Sequence, residues 1–493
     1  MENSMEEYYI GADMGSSSIK MILIDSSGRQ IAESHEEYSI STPQSDWKEI
    51  DPEYWYDAFM RGTRRLLSGI DGAKVCRIGI TGQMHTTVFL DENGHSVRPA
   101  IMWNDGRTGS ETADLRKFVA DTKDLSYLER VISNGCAACS LLWLKRNEAE
   151  SFARIRHFVI GPGYLVYRLT GQYTTDACES STSGLYDLKN GCWSAELADA
   201  LALPLSACPP VYGSAQIVGP ILPRIAEALG LSTNVHVIAG TGDNPAASIS
   251  TGGLIGDYPV ISIGTSGVMV FPMHEMNLSS RFKNVLFSLD GKETRAIIQG
   301  TVQTAGNCLS WLVRSVFHST YQEACSIEFD RDFSSRLLFY PHFVGEKAVR
   351  FDPDARGAVF GLCTDTTREQ LVLAVIEGVC FGFREILEAM DNPLENIPSM
   401  KVIGGGAKNP AWLQVLANVL NMPVEQLDSD VGAAHGVALI AAHANQLPVF
   451  DDFRDTMPKP GICFVPDRQY VEKYNSKYAH YKKMYDALKA VYE

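Results

Sequence analysis

The sequence predicts an α/β protein of two similar lobes with a central ligand cleft, and three observations support this class. A chain of 493 residues is too long for one ordinary hydrophobic core, so two domains are expected. Two Val- and Ile-rich runs between 235 and 268 end in glycine, which is typical of buried strands that break into ligand-binding loops. The second run has a counterpart near the N-terminus, because Gly15-Ser16-Ser17 aligns with Gly264-Thr265-Ser266. We expect lobes at 1–254 and 255–493.

The composition excludes several classes of function. The chain has 59 acidic and 43 basic residues and a formal charge of -16, whereas a nucleic-acid partner requires basic surface. The polar, acidic N-terminus does not resemble a signal peptide, and no apolar run approaches the length of a membrane span. We therefore expect a cytoplasmic protein without a nucleic-acid or membrane partner.

The 11 cysteines are scattered and lie mostly in apolar segments, which favours reduced and buried thiols. Cys136 and Cys139 have the spacing of a redox or metal pair, but no second Cys or His pair accompanies them. The simpler interpretation is two thiols in a packed segment.

The first element is a strand, a turn and a second strand over 8–25. Its turn, Gly15-Ser16-Ser17-Ser18, leaves backbone N–H groups to hold phosphate oxygens, and Gly264-Thr265-Ser266 would grip the same triphosphate from the other side. Asp13 ends the first strand, where a carboxylate would hold Mg2+ through water. The alternative is an Asp that only caps the turn.

The next elements place polar side chains after short apolar strands. His85 follows a predicted strand at 75–80, where ligands of α/β sheets usually bind, although a lone His is more often structural. Trp103, Asn104 and Asp105 suit a polyhydroxylated ligand, because the indole offers a platform and the other two hydrogen-bond hydroxyls. A turn closed by Asn-Asp-Gly is the alternative.

The second half of the chain adds a candidate base and two glycine-rich contacts. Asp243 follows a buried strand, where it would accept the proton of a substrate hydroxyl that attacks a γ-phosphate; a turn former would tolerate the amide analogue instead. Gly306 and Ser310 lie one turn apart on a predicted helix and would face a nucleotide, although packing explains them equally well. Gly404-Gly405-Gly406 joins a strand to a helix start and brings the backbone close to a ligand.

A family resemblance rests on longer motifs. Gly357-Ala358-Val359-Phe360-Gly361-Leu362, followed by Gln370-Leu371 and Ala374-Val375-Ile376-Glu377-Gly378, closely fits the C-terminal signature of the FGGY carbohydrate kinases, which the chain resembles over nearly its whole length. The resemblance implies the actin-like ATPase fold, with two ribonuclease H-like lobes and with ATP and sugar in the cleft. Within the family, the segments most similar to those of xylulokinases are 82–85, 98–107 and 430–433.

The resemblance implies a role for each matching position. Asp243 would be the general base, and Asp13 would serve Mg2+. The sugar would be bound by Met84, His85, Trp103, Asp105 and Asn244. The ATP phosphates would be bound by Gly15, Ser16, Ser17, Ser18, Gly264, Thr265 and Ser266, and the adenosine side by Gly306, Ser310, Gly405, Gly406 and Asn409. Residues 1–254 would thus form the sugar lobe with the first phosphate loop and the catalytic Asp, and 255–493 the nucleotide lobe, whose last helices pack back on the N-terminal lobe.

The implied reaction is the ATP-dependent phosphorylation of the terminal hydroxyl of a small ketose, D-xylulose to D-xylulose 5-phosphate, by a homodimer. Three departures from the family pattern leave the sugar open: Cys139-Ser140 replaces a Pro-Lys pair, Pro162-Gly163 replaces Lys-Asp, and Lys347-Ala348-Val349 replaces Arg-Thr-Pro. One alternative is another FGGY specificity, such as gluconate, ribulose, glycerol or a sugar alcohol. The other is a conformational ATPase of the same fold without a sugar acceptor.

Overall fold

The computed structural model describes residues 6–278, 280, 282–352, 354–390, 397–427, 432–447, 449–450 and 460–492. Within these ranges the chain forms two compact units. The first consists of 1–255, 273–297 and 431–457, and the second of 256–272, 298–430 and 458–493. The predicted division into 1–254 and 255–493 lacks the two segments, 273–297 and 431–457, that return to the first unit.

The N-terminal half supplies the elements of the first unit's sheet and the helices around it. The strands are β1 (Tyr8–Met14), β2 (Ser18–Asp25), β3 (Gln30–Glu37), β4 (Glu49–Ile50), β5 (Val75–Gly82), β6 (Thr87–Leu90), β7 (Ala100–Ile101), β8 (His157–Ile160), β9 (Thr175–Asp176), β10 (Tyr186–Asp187), β11 (Cys192–Trp193), β12 (Val211–Tyr212), β13 (Ile217–Pro220), β14 (His236–Ile238) and β15 (Thr241–Gly242). The helices are α1 (Glu53–Leu66), α2 (Gly109–Asp121), α3 (Ala137–Asn147), α4 (Ala149–Arg154), α5 (Pro162–Thr170), α6 (Ala177–Thr182), α7 (Ala195–Leu201), α8 (Pro223–Leu229), α9 (Asp243–Ser250) and α10 (Gly253–Gly256).

The second half continues the same numbering. Its strands are β16 (Val260–Ile263), β17 (Gly267–Met273), β18 (Asn284–Phe287), β19 (Arg295–Val302), β20 (Leu338–Tyr340), β21 (Ala358–Phe360), β22 (Met400–Ile403), β23 (Val424–Leu427) and β24 (Pro460–Phe464). Its helices are α11 (Gly306–Ser310), α12 (Tyr321–Ala324), α13 (Phe329–Asp332), α14 (Arg368–Ala389), α15 (Pro410–Leu420), α16 (Ala433–His443), α17 (Arg468–Tyr481) and α18 (Met484–Tyr492).

The first unit is built on a seven-stranded sheet of order β13-β14-β5-β1-β2-β3, with β15 paired to β5. β1 runs antiparallel to β2 and parallel to β5. The central strands β1 and β2 are nearly continuous buried runs, as expected in the middle of a sheet covered on both faces. Helix α16 packs closely on β1 because Gly11 has no side chain; a Cβ there would lie 2.0 Å from the Ala434 carbonyl oxygen.

A second seven-stranded sheet has the order β18-β19-β17-β16-β22-β23-β24. Its central hairpin repeats the first, because β16 runs antiparallel to β17 and parallel to β22. Helix α14 is almost entirely buried and begins with a capping box between Thr367 and Gln370. Two sheets with the same hairpin and parallel neighbour confirm the predicted α/β class with two similar lobes.

The last two helices, α17 and α18, belong to the second unit, and their packing on the N-terminal lobe stays a prediction. The side chain of Lys477 on α17 forms a buried ion pair with Glu377 on α14. Asn475 accepts a hydrogen bond of 2.7 Å from the Arg384 guanidinium, also on α14. These polar contacts fix α17 to the long helix of its own unit. In the part of the chain that the structure describes, no helix has the length and apolarity needed to span a membrane.

Candidate active site

Three parallel strands of the first unit end at the same level. Asp13 on β1 stands opposite Thr81 on β5, which in turn stands opposite Thr241 on β15. The segments that follow these strands are therefore brought together at one edge of the sheet, where α/β proteins bind ligands. They carry the predicted phosphate turn at 15–18, the predicted sugar residues at 84–85 and the predicted base with its neighbour at 243–244.

Two carboxylates with few hydrogen bonds lie at this edge. Among the described residues, no hydrogen bond to the Asp13 carboxylate contributes to its pKa, and Oδ1 of Asp243 is buried without a partner. Burial raises the pKa of Asp13 to about 6. Burial, with the negative charge of Asp13, raises the pKa of Asp243 to about 7. A carboxylate with a pKa near neutrality has the proton affinity that a general base requires.

The same pair fits a divalent cation completed by ligands from elsewhere. Within the described ranges, no group of three or more His, Cys, Asp or Glu side chains has the arrangement of a self-sufficient metal site. Mg2+ is commonly held by one or two carboxylates together with water and substrate phosphates. Asp13, an unpartnered carboxylate beside a phosphate turn, has the chemistry for that arrangement.

The predicted phosphate turn has free backbone donors. Gly15 N–H donates to Ser18 O at 2.9 Å and the Tyr38 hydroxyl donates to Gly15 O, which fixes the turn. In the described part of the chain, the N–H groups of Ser16 and Ser17 have no partner. Adjacent free N–H groups of this kind form an anion-binding concavity.

Three of the predicted sugar residues lie beside this turn. The Asn244 amide lies 3.5 Å from the Met84 sulfur. The Trp103 indole is 45% exposed, and its Nε1–H donates to the Ser16 hydroxyl oxygen at 3.0 Å. The exposed ring face is available to a sugar, while its polar edge is tied to the phosphate turn.

His85 is also at this edge, but both of its ring nitrogens are engaged. Its φ of 73° is left-handed, a conformation that is uncommon outside glycine and is often found at functional sites. Nδ1 lies 3.2 Å from the Thr182 carbonyl oxygen and Nε2 lies 3.3 Å from the Lys283 ammonium. Burial and the charge of Lys283 lower the pKa of His85 well below its usual range, so the ring is neutral. The partners then assign the proton to Nδ1 and the free lone pair to Nε2.

Asp105 is not brought to the open part of the site. It is 1% exposed, and its carboxylate accepts hydrogen bonds from the Arg107 guanidinium at 2.7 and 2.8 Å and from Lys48 N–H at 2.6 Å. Arg107 in turn lies 3.8 Å above the Trp47 ring. These contacts favour a structural role for Asp105, and a direct contact of Asp105 with sugar stays a prediction.

The predicted adenosine residues line a cavity of about 680 Å³ within the second unit, a volume typical of small-molecule sites. All five of them are in its wall: Gly306, Ser310, Gly405, Gly406 and Asn409. Of the predicted phosphate residues in this unit, Gly264 and Thr265 are also in the wall, whereas Ser266 is not. The turn and helix α11 touch through backbone: Gly306 N–H donates to Gly264 O at 2.9 Å, and a Cβ at Gly306 would lie 2.4 Å from that oxygen. The Asn409 side chain also caps α15 by accepting from Ala411 N–H at 3.0 Å.

Several residues of both sites were not predicted from the sequence. In the first unit they are Lys283 and Glu179, which contact His85 from distant segments. In the second unit the cavity is also lined by Arg314, Tyr321, Gln322 and Trp412. The one sequence signal for Lys283 is a charged residue directly before the buried strand β18, which lacks a motif to mark it as functional.

The departures from the family pattern have local explanations. Gly163 lies against the chain, since a Cβ there would be 2.8 Å from Thr174 O, which leaves no room for a longer side chain. The loop at Lys347 closes on itself because the Glu346 carboxylate accepts from the N–H groups of Ala348 and Val349 at 2.7 and 3.0 Å. Asp430 and Val431 of the xylulokinase-like segment lie outside the described residues.

The Cys136 and Cys139 thiols are both free and buried, with their sulfurs 3.4 Å apart. Cys139 and Ser140 lie on α3, in the apolar core that this helix shares with its neighbours. Packing therefore accounts for this pair, in line with the simpler interpretation of the spacing.

Comparison with known proteins identifies the family. Residues 8–250 match the N-terminal domain, and residues 260–445 the C-terminal domain, of the FGGY family of carbohydrate kinases. A xylulose kinase of Staphylococcus xylosus is 30% identical over 97% of this chain and 100% of its own length. A xylulose kinase of Escherichia coli strain K12 is 30% identical over 97% of this chain and 99% of its own.

A solved structure from Brucella ovis, described as a xyloylose kinase, has a TM-score of 0.88 at 29% identity and covers 98% of this chain and 100% of its own. The expected actin-like fold with two ribonuclease H-like lobes is thus confirmed, and the alternative of a conformational ATPase without a sugar acceptor loses its support. The chain belongs to the FGGY family of carbohydrate kinases and is an ATP-dependent sugar kinase.

Proposed function

We propose that this kinase phosphorylates the terminal hydroxyl of a small ketose, D-xylulose in the first place, to give D-xylulose 5-phosphate. The observation that carries the proposal is Oδ1 of Asp243, which is buried without a hydrogen-bond partner. Asp243 directly precedes Asn244, whose amide contacts Met84. Relatives that match this chain over nearly its full length are named xylulose kinases, which supports the choice of sugar.

The proposed mechanism is in-line transfer of the γ-phosphoryl group of ATP. Asp243 accepts the proton of the attacking hydroxyl, and its pKa of about 7 allows it to be unprotonated at physiological pH. The free N–H groups of Ser16 and Ser17 stabilise negative charge that develops on phosphate oxygens. Trp103 and Asn244 orient the sugar so that its terminal hydroxyl meets Asp243.

We also propose that Asp13 holds Mg2+, which when bound neutralises phosphate charge. Activity should be lost in excess EDTA and recovered on adding Mg2+. Asp13→Asn should raise the Mg2+ concentration that gives half-maximal rate, because it removes the anionic ligand. An unchanged Mg2+ dependence in this variant would remove Asp13 from the metal site.

The test of the substrate is ADP release with ATP and Mg2+ in the presence of D-xylulose, L-xylulose, D-ribulose, L-ribulose, gluconate, glycerol or erythritol. We expect the highest kcat/KM with D-xylulose. A clear preference for another acceptor would keep the kinase and replace the sugar. That outcome is the second candidate function, and the Gly163 and Lys347 loops, which depart from the family pattern, are the observation that favours it.

We also propose an oligomeric state and a location in the cell. We expect a homodimer, which light scattering coupled to size-exclusion chromatography would detect as twice the chain mass. We expect a cytoplasmic location, which agrees with 11 free cysteines and is tested by fractionating the source cells.

A further inference from the structure

Lys283, which contacts His85, uses only part of its hydrogen-bonding capacity. It is half-buried, and an ammonium group has three N–H donors. The described residues give it one hydrogen-bond partner, the uncharged Nε2 of His85 at 3.3 Å, and no carboxylate within ion-pair distance. The acidic groups in its electrostatic surroundings are Cys136, Cys178 and Glu179. A partly buried ammonium with donors to spare is costly unless an oxygen-rich ligand completes its contacts.

The neighbours of Lys283 connect it to the reacting end of the site. Glu179 is 2% exposed, and its Oε2 accepts from His85 N–H at 3.2 Å. Its Oε1 is buried without a partner and faces Gly242, since a Cβ built there would lie 3.3 Å from this oxygen. Gly242 directly precedes Asp243. Glu179 therefore lies between the base and the His85–Lys283 pair.

The hydrogen bonds of His85 decide which group can bind a sugar oxygen. Nδ1–H is taken by the Thr182 carbonyl and Nε2 by Lys283, so the imidazole has no donor or acceptor left. The ring can still contact a ligand through its carbon atoms. The hydrogen bond to sugar that was expected from His85 is therefore more readily made by the Lys283 ammonium, which contacts His85 Nε2.

We propose that Lys283 binds the carbonyl oxygen of the ketose, at the end of the sugar remote from the hydroxyl that Asp243 activates, and so selects ketoses over the corresponding polyols. This inference rests on the proposed function. A ketone oxygen can only accept hydrogen bonds, and a charged donor binds it strongly. The corresponding hydroxyl of a polyol can also donate, so it can bind acceptors other than Lys283. Lys283 would thus be a specificity-determining residue outside the motifs of the family resemblance.

The test is Lys283→Met, with dissociation constants measured by calorimetry for D-xylulose and for xylitol, which has the same carbons with the carbonyl reduced. We expect D-xylulose affinity to fall by about 10- to 100-fold, the usual effect of losing a charged hydrogen bond, and xylitol affinity to change much less. Lys292→Met is the control, because this lysine of the same segment is 84% exposed. Its affinities should match the wild type.

A structural role for Lys283 would give a different result. If the ammonium only held His85 in place, both ligands would lose affinity equally, and Lys283→Met would have no further effect in a His85→Gln background. Either outcome overturns the proposal, as does a loss confined to gluconate, which would make Lys283 a carboxylate-binding residue. Lys283→Gln, which keeps a neutral donor, repeats the test if the Met variant does not fold. Failure of the wild type to phosphorylate any ketose would instead refute the proposed function.

Discussion

In the first unit, β1 ends at Met14, one residue after Asp13, and the chain turns at Gly15 beside β5. In the second unit, β16 ends at Ile263 and the chain turns at Gly264 beside β22. The turns share a hydrogen bond of 2.9 Å from the glycine N–H to a serine carbonyl, Ser18 in one and Ser266 in the other. Their surroundings differ. Carboxylates and a neutral histidine border the first turn, whereas glycines and a cavity border the second. We expect the same backbone turn to serve catalysis in the first unit and nucleotide binding in the second.

The largest effect is expected for Asp243→Asn, which tests whether the first unit carries the general base. We expect kcat to fall by about 10²- to 10⁴-fold, the usual contribution of a general base, because an amide cannot accept the hydroxyl proton. The KM for sugar should change little, since the amide keeps the shape of the side chain. Coupled ADP release measures both constants. The matched control is Asp57→Asn, at an exposed position on α1; near-normal turnover in the Asp243 variant would exclude it as the base.

A substitution in the second unit should affect the nucleotide and leave the sugar alone. Gly306→Ala would place a Cβ 2.4 Å from Gly264 O and push the turn out of position. We expect kcat/KM for ATP to fall by about 10- to 100-fold, because a small displacement of a positioning group has that cost. D-xylulose binding without ATP, measured by calorimetry, should not change. Gly109→Ala is the control, since a Cβ there meets nothing within 4 Å; equal losses for both ligands would contradict the division of roles.

The smallest expected effect is on the thermal stability of Asp243→Asn, and it tests whether Asp243 titrates near neutrality. The pKa of Asp243 is raised from 3.8 to about 7, so folding favours its protonated form, and this stabilisation is lost as the pH rises through 7. Asp243→Asn removes the charge, and its Tm should exceed that of the wild type at pH 8, by about 2–4 °C for each kcal/mol of stability gained. The difference should shrink as the pH falls below 7 and disappear below about pH 4, where the unfolded chain is protonated at this position too. A Tm difference independent of pH, measured by scanning calorimetry, would mean that Asp243 is not titrated near neutrality.

The strand ends of both sheets were predictable, because glycine and small polar residues interrupt short apolar runs where a strand gives way to a turn. That rule located Asp13, Asp243, Gly264 and Gly405. It could not locate Lys283, since hydrogen bonding between segments almost 200 residues apart leaves no local pattern. The rule also gave Asp105 a ligand contact, which stays a prediction; the sequence does not show that Arg107 folds back to donate to Asp105.

The hydrogen bond from Trp103 to Ser16 has a consequence for the order of events in catalysis. It joins Trp103, which is assigned to the sugar, to Ser16, which is assigned to the phosphates. A sugar that packs against the indole should therefore change the position of the Ser16 hydroxyl and its hydrogen bonding to ATP. Coupling of this kind is reciprocal: the factor by which sugar tightens nucleotide binding equals the factor by which nucleotide tightens sugar binding. We expect the sugar to tighten ATP binding, so that ATP is bound less tightly while the acceptor is absent and less of it is hydrolysed.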